Sequence, residues 1–82
     1  MINKPFSQAC ENNKRPILNI LSKVFSQHKH VLEIGSGTGQ HAVFFGQHLP
    51  HVTWQTSDLS VNHQGINLWL TEADLSNVQK PI

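Results

Sequence analysis

Three glycines at every second position, followed at a distance by an aspartate, form the pattern with the clearest chemical use. Residues 31–39 read Val-Leu-Glu-Ile-Gly-Ser-Gly-Thr-Gly, so that Gly35, Gly37 and Gly39 follow a short apolar run. Glycine accepts positive φ and leaves the backbone uncovered, so that a ligand can lie against the main chain. Asp58 comes about 20 residues after the last glycine, where nucleotide-type sites hold a ribose hydroxyl. The pattern therefore predicts a site for a ligand that carries a ribose.

The spacing of the glycines separates two kinds of cofactor. A dinucleotide fingerprint reads G-x-G-x-x-G, and its third glycine would fall at position 40, which is Gln40 here. The observed G-x-G-x-G spacing favours S-adenosylmethionine, which has no phosphate but has a ribose, a flat adenine and a sulfonium-bearing tail. The plain alternative is a strand-to-helix turn with incidental glycines. For Asp58 the plain alternative is a turn or cap residue, since aspartate often follows a strand.

The elements that must position these residues alternate between helix and strand. The predicted elements are a helix over 16–27, a strand over 30–34, a helix over 40–49, a strand over 51–56, a helix over 60–72 and the start of a strand over 77–82. Pro16 opens the first helix, where a residue without an N–H loses little, and Ser60 caps the third. Strands that alternate with helices imply a parallel sheet. The predicted fold class is therefore α/β, the N-terminal part of a Rossmann-like parallel sheet with the order α-β-α-β-α and the start of a third strand.

The first predicted strand carries one charged residue among apolar ones. Val31, Leu32 and Ile34 predict that this strand is buried on both faces. Glu33 is the exception, because a carboxylate in such a strand is costly unless a partner pairs with it. Its place just before the glycine turn predicts that it faces that turn. Two strands and a fragment make a poor sheet, so we expect residues 1–82 to be the N-terminal portion of a single larger domain, or to complete their core by association.

Composition and charge argue against several classes of protein. Six lysine and arginine residues against five aspartate and glutamate residues give no strong field for nucleic acid or anionic lipid. Cys10, the single cysteine, cannot form an internal disulfide, which fits a reducing cytoplasm. The first residues lack the apolar core of a signal peptide, and no apolar run approaches the length of a membrane span. The histidine pairs at 28 and 30 and at 41 and 48 lack the spacing of a metal site, so that no metal is predicted.

These motifs carry a resemblance to a known superfamily. Residues 31–39 together with Asp58 resemble the first motif and the following acidic position of class I S-adenosylmethionine-dependent methyltransferases. Three further blocks are similar to a small, poorly characterised methyltransferase-like family, long classed as a domain of unknown function. These blocks are Gly-Ser-Gly-Thr-Gly-Gln-His-Ala at 35–42, Glu-Asn-Asn-Lys-Arg-Pro-Ile-Leu at 11–18 and Trp-Gln-Thr-Ser-Asp at 54–58. The likeness spans nearly the whole chain.

The resemblance implies a set of residues that bind S-adenosylmethionine. They are Glu33, Gly35, Ser36, Gly37, Gly39, Asp58 and Leu59. By the resemblance, Glu33 and the first part of the turn would face the methionine end of the cofactor. Asp58 would take the ribose hydroxyls, and Leu59 would lie beside the adenine. Gln40 and His41 are further candidates.

The chain departs from the resemblance in ways that bear on catalysis. The family usually has arginine where Asn12 stands and proline where Thr56 stands. Its members also continue through more strands, which carry the segments that commonly place adenine and substrate. The resemblance therefore implies a catalytically incomplete chain and leaves the catalytic residues unassigned. The reaction would be attack by an electron-rich atom of a small or unknown methyl acceptor on the sulfonium methyl, which depends on alignment.

Two other functions remain open from the sequence. One is a fragment of a nicotinamide-dinucleotide-binding oxidoreductase, which Gln40 disfavours. The other is a non-enzymatic half-domain that associates with itself or a partner through exposed apolar faces. We expect a cytoplasmic protein without nucleic-acid or membrane partners, and a homo-oligomer if the core is incomplete.

Overall fold

The computed structural model describes residues 4–82, which form three helices and three short strands. The elements are α1 (Gln8–Val24), β1 (His30–Leu32), α2 (Gln40–His48), β2 (Thr53–Gln55), α3 (His63–Ala73) and β3 (Val78–Gln79), with a short 3₁₀ helix at Ser60–Asn62. The strands form one sheet in the order β1-β2-β3, and both strand pairs are parallel. This arrangement confirms the predicted α/β fold class and is compatible with part of a Rossmann-like fold. Among residues 4–82, no helix is both long and apolar enough to cross a membrane.

Helix α1 begins two turns earlier than the sequence predicts. Ser7 is extended at the N-cap, and its hydroxyl accepts a hydrogen bond of 3.3 Å from the Cys10 N–H. Pro16 therefore lies inside the helix instead of opening it, and the helix ends at Val24, slightly before the predicted end. The prediction was wrong because it gave more weight to the preference of proline for a first turn than to the preference of serine for an N-cap. Ser7 and the polar residues that follow it start the helix instead. The early start matters because it brings the beginning of α1 to the glycine turn.

The helices pack against one face of the sheet. Val31, Trp54 and Val78 are neighbours in register across the strands. The buried core cluster consists of Ala42, Phe45, Leu49, Val52, Trp54 and Val78. Apolar side chains of α1 and α3, such as Leu21 and Leu70, pack against the same cluster. The side of the sheet that carries Trp54 is therefore the covered side.

The opposite face of the sheet lacks a helical cover within residues 4–82. Leu32, Gln55 and Gln79 share this face in register. Leu32 is 56% exposed, and Ile34, which follows on the same side, is 79% exposed. The prediction that β1 is buried on both faces was wrong. A parallel strand is buried on both faces only where helices cover both sides of the sheet, and here they cover one side.

Backbone pairing at the carboxyl ends of β2 and β3 continues past the assigned strands. The Ile82 N–H donates to the Thr56 carbonyl at 3.2 Å, and the Asp58 N–H donates to the Ile82 carbonyl at 3.3 Å. Ser60 starts a 3₁₀ turn instead of capping a helix, and α3 begins at His63 without a side-chain cap. The 3₁₀ turn links the end of β2 to α3 and holds Asp58 near the carboxyl edge of the sheet.

Candidate functional site

The three glycines of the turn have positive φ but different surroundings. Their φ values are 74° at Gly35, 62° at Gly37 and 93° at Gly39. A Cβ added at Gly35 or Gly37 would meet nothing within 4 Å. A Cβ at Gly39 would lie 3.2 Å from the Ile66 Cα and 3.3 Å from the Trp69 Cβ. The first two glycines therefore leave open main chain, whereas Gly39 lets α3 pack closely against the start of α2.

The carboxylate of Asp58 is directed at the glycine turn. Its Oδ2 accepts a hydrogen bond of 2.8 Å from the Gly37 N–H. Its Oδ1 accepts from the Leu59 N–H at 2.6 Å and from Asn62 Nδ2 at 2.8 Å. The hydrogen bond from Asn62, followed by those from the two backbone N–H groups, lowers the pKa of Asp58 below its usual value, and His63 adds a weaker attraction. Asp58 is therefore ionised at neutral pH.

A shallow cavity of about 330 Å³ lies beside the turn at the carboxyl edge of the sheet. Its lining residues are Ile34, Gly35, Ser57, Asp58, Leu59 and Ile82. Ile34, Leu59 and Ile82 are highly exposed apolar side chains, although large apolar side chains are usually buried. The cavity thus combines apolar walls, open main chain and one carboxylate. Three of the residues implied by the resemblance, Gly35, Asp58 and Leu59, meet here.

Ser36 is buried and joins the turn to the end of β2. Its N–H donates to the Ser57 carbonyl at 2.8 Å, and its hydroxyl accepts from the Ser57 N–H at 3.0 Å. The N–H and the hydroxyl of Ser36 therefore hold the turn to the neighbouring strand. Ser36, Gly37 and Gly39 shape the turn but do not line the cavity.

Glu33 lies on the helix-covered face of the sheet. The sequence predicted that it faces the turn, and this prediction was wrong. Its Oε1 accepts a hydrogen bond of 3.2 Å from Trp54 Nε1. The reason is the two-residue period of a strand, which places Glu33 on the same side as Val31 and the neighbouring Trp54. The indole N–H is the partner that a carboxylate at this position needs.

Gln40 fastens the beginning of α1 to the glycine turn. The residue is 3% exposed. Its Nε2 donates to Glu11 Oε2 at 2.8 Å and to the Ser7 carbonyl at 3.3 Å. Its Oε1 accepts from the Thr38 hydroxyl at 2.9 Å and from the Ser7 N–H. Because both ends of this amide are occupied within the chain, Gln40 is a structural link and does not reach the cavity.

Glu11 and His41 belong to the same contact between α1 and α2. Hydrogen bonds from Lys14 and then from Gln40 lower the pKa of Glu11 below its usual value. The His41 ring lies 2.9 Å from Asn13 Oδ1 through its Nε2 atom. Within residues 4–82, no group of three or more histidine, cysteine, aspartate and glutamate residues is placed to hold a metal ion.

The sequence did not predict a role for Asn62 or a second cavity near it. This cavity of about 370 Å³ is lined by Pro5, Gly37, Thr38, Val61, Asn62, Gln64 and Gly65. Gly37 lines the second cavity and Asp58 the first, so that their hydrogen bond lies at the boundary between the two. The available signal was an asparagine four residues after Asp58, at a spacing where side chains meet once the segment becomes helical.

Comparisons with known proteins identify a family without an assigned function. No solved structure matches the chain. Residues 4–82 match the family described as protein of unknown function DUF938, so the match covers nearly every residue of the sequence. The chain is therefore a member of the DUF938 family.

Proposed function

We propose that the carboxyl edge of this sheet is the S-adenosylmethionine site of a methyltransferase-like domain. The observation that carries the proposal is an ionised Asp58 directed at a glycine turn whose main chain is open at Gly35 and Gly37. Exposed Leu59 and Ile82 beside it offer apolar contact to an adenine. A ribose at Asp58 would then place the sulfonium end against the open turn.

The hydrogen bonds of the turn favour this cofactor over a dinucleotide. A pyrophosphate binds to free N–H groups of the glycine turn and of the first residues of the helix. Here the Gly37 N–H donates to Asp58, the Gly39 N–H donates to the Ser36 carbonyl at 3.0 Å, and the next N–H, of Gln40, donates to a threonine hydroxyl at 3.2 Å. The Asp58 carboxylate would also repel a phosphate, whereas it attracts a sulfonium cation.

The residues of this chain would bind and orient the cofactor. When bound, S-adenosylmethionine supplies an activated methyl group to an electron-rich acceptor atom. Asp58 would fix the ribose, and the apolar cavity walls would fix the adenine, so that the position of the methyl group follows from two anchors. The methyl acceptor is proposed as a small or unknown molecule, and no residue is assigned as a general base. We also propose a cytoplasmic location, which the free cysteine Cys10 supports.

Calorimetric titration with S-adenosylhomocysteine and, separately, with NAD tests the proposal. We expect the chain to bind adenosylhomocysteine and to bind NAD more weakly or not at all. Asp58→Asn keeps the shape of the side chain but removes its charge, and it should weaken binding roughly tenfold or more. Asp74→Asn is the matched control, because Asp74 is an exposed aspartate at the end of α3. Absence of adenosylhomocysteine binding, or unchanged affinity in a folded Asp58→Asn variant, would overturn the proposal, and preferential NAD binding would favour the oxidoreductase.

Self-association is a second candidate function, favoured by the uncovered face of the sheet. Leu32 and Ile34 are exposed side by side on this face. Adjacent exposed apolar side chains of this kind mark surfaces that associate with another chain. We expect sedimentation to detect a dimer at micromolar concentration and Leu32→Thr to shift it towards the monomer. A wild-type chain that stays monomeric over that range would reject this candidate.

A further inference from the structure

We infer that Asn62 is a positioning residue that aims the Asp58 carboxylate at the ribose of the bound ligand. The inference rests on the proposed function, because it concerns how the ribose is held. Asn62 lies in the 3₁₀ turn Ser60–Asn62, one turn beyond Asp58, and its Nδ2 donates to Asp58 Oδ1 at 2.8 Å.

The hydrogen bonds of Asp58 leave room at one particular oxygen. An ionised carboxylate offers about four acceptor sites, two on each oxygen. Within residues 4–82, Oδ1 accepts two hydrogen bonds, from Leu59 and Asn62, whereas Oδ2 accepts one, from Gly37. The vacant acceptor site is therefore on Oδ2, the oxygen that is directed at the glycine turn. A ribose hydroxyl can donate there without displacing any bond that the chain already makes.

Asn62 helps to fix the orientation of the carboxylate that keeps this vacancy on the side of the glycine turn. The terminal torsion of an aspartate is broad and roughly two-fold, so that a carboxylate without anchors rotates easily about its last bond. The Leu59 N–H follows Asp58 directly in the chain and can remain bonded through small rotations. The amide of Asn62 approaches from the next turn, and it therefore gives Oδ1 a second, differently directed anchor. Without it, only the Gly37 and Leu59 N–H groups would hold the Asp58 carboxylate, and its orientation at the turn would be less firmly fixed.

The backbone of Asn62 is held independently of its side chain. Its N–H donates to the Leu59 carbonyl at 2.9 Å, which closes the 3₁₀ turn. The side chain is exposed, so that shortening it leaves no buried cavity. A variant at this position should therefore keep the fold while losing the hydrogen bond to Asp58. Gln64 is exposed in the first turn of α3, lines the same second cavity and provides a matched control.

Binding titrations with two ligands separate positioning from a general structural role. The ligands are adenosylhomocysteine and its 2′,3′-dideoxy analogue, which lacks both ribose hydroxyls. We expect Asn62→Ala to weaken adenosylhomocysteine binding roughly three- to tenfold and to leave the affinity for the dideoxy analogue unchanged. In a chain that already carries Asp58→Asn, the Asn62→Ala change should not weaken binding further. Asn62→Ser, whose hydroxyl is too short to reach Asp58, should behave like Asn62→Ala. Gln64→Ala should bind both ligands as the wild type does.

The outcomes distinguish this inference from the proposed function. If the wild type binds adenosylhomocysteine and Asp58→Asn weakens it, but both Asn62 variants bind normally, the inference about Asn62 is overturned alone. Equal losses for adenosylhomocysteine and the dideoxy analogue would also overturn it, because the effect would not depend on the ribose. If the wild type binds neither ligand, the proposed function and the inference are both overturned.

Discussion

Substitution of single glycines in the turn separates its ligand-binding part from its packing part. Gly35 and Gly39 both have positive φ, at 74° and 93°. A methyl group at Gly35 would enter open space at the edge of the cavity, whereas one at Gly39 would press against the backbone of Ile66 and the Cβ of Trp69. We therefore expect Gly35→Ala and Gly39→Ala to differ in stability and in binding, although both change glycine to alanine.

The expected losses of stability follow from backbone strain and crowding. Alanine in the left-handed region costs about 1–2 kcal/mol. Alanine also lowers the conformational entropy of the unfolded chain, and this offsets about 0.4–1 kcal/mol of that cost. Gly35→Ala should therefore lower the free energy of unfolding by about 1 kcal/mol. Gly39→Ala adds contacts of 3.2 and 3.3 Å with atoms that cannot turn aside, and such overpacking costs about a further 1–3 kcal/mol.

Urea unfolding and ligand titration measure the two effects separately. Trp54 and Trp69 lie on β2 and α3, so their fluorescence reports on the sheet and on the helix that packs against the turn. Stability should decrease in the order wild type, Gly35→Ala, Gly39→Ala. Binding of adenosylhomocysteine should be weakened at least tenfold by Gly35→Ala, because the added methyl group occupies space that the ligand needs.

Two results would refute this reasoning. Equal stability losses in the two variants would show that contact with α3 does not distinguish Gly39 from Gly35. Wild-type affinity in a folded Gly35→Ala variant would show that the ligand does not lie against this part of the main chain. The second result would remove the support that the open main chain gives to the proposed cofactor site.

Three further predictions concern packing, pH and the link between α1 and the turn. Gly46→Ala should lower the free energy of unfolding by about 1–3 kcal/mol, because its Cβ would lie 2.3 Å from Cγ2 of the stiff Val78 side chain, and an added Val78→Ala change should remove this clash. The lowered pKa values of Asp58 and Glu11 contribute stability that is complete above their usual values of 3.8 and 4.5, and urea unfolding should show this contribution disappear as the pH falls through the lower values of the folded state. Gln40→Leu should cost about 1–3 kcal/mol, because it leaves buried polar groups without partners, and amide hydrogen exchange should show faster opening at the start of α1.

Each of these predictions has a contrary outcome. A Gly46→Ala variant as stable as the wild type would mean that β3 moves away from α2 without cost. Glu11→Gln and Asp58→Asn should make the acid loss of stability less steep, and an unchanged acid profile in both would remove these carboxylates as its cause. Unchanged exchange at the start of α1 in Gln40→Leu would show that Gln40 is not the fastening residue.

The sequence predicted the central part of the fold well because its signals are local. An apolar run, alternating glycines and a 3.6-residue period are all contained within 31–49, and the structure confirms a strand, a turn and a helix there. The buried alternation of Val52, Trp54 and Thr56 was likewise readable from the pattern in 51–56. The start of α1 was not, because the N-cap hydrogen bond of Ser7 is one of many that a serine can make.

The partners of Glu33 and Gln40 depended on contacts that no local pattern contains. Gln40 bonds to Ser7, 33 residues earlier, and Glu33 bonds to Trp54, 21 residues later. A sequence pattern can place such side chains near a turn, but their direction follows from how neighbouring strands and helices are aligned. Both polar residues beside the glycines are consequently used within the fold.

Some residues of the turn fasten it to the rest of the fold and others leave its main chain open, so that an uncovered backbone and a firmly held structure occur together. Gly39 and the Gln40 amide attach the far side of the turn to α3 and α1. Ser36 attaches the near side to the end of β2. Gly35 and Gly37 are therefore held from both sides without a side chain of their own, and a ligand that meets them finds a surface already in position. A rigid, uncovered backbone requires less ordering on binding than a flexible one, which is the physical advantage of using glycines only where their neighbours are fastened.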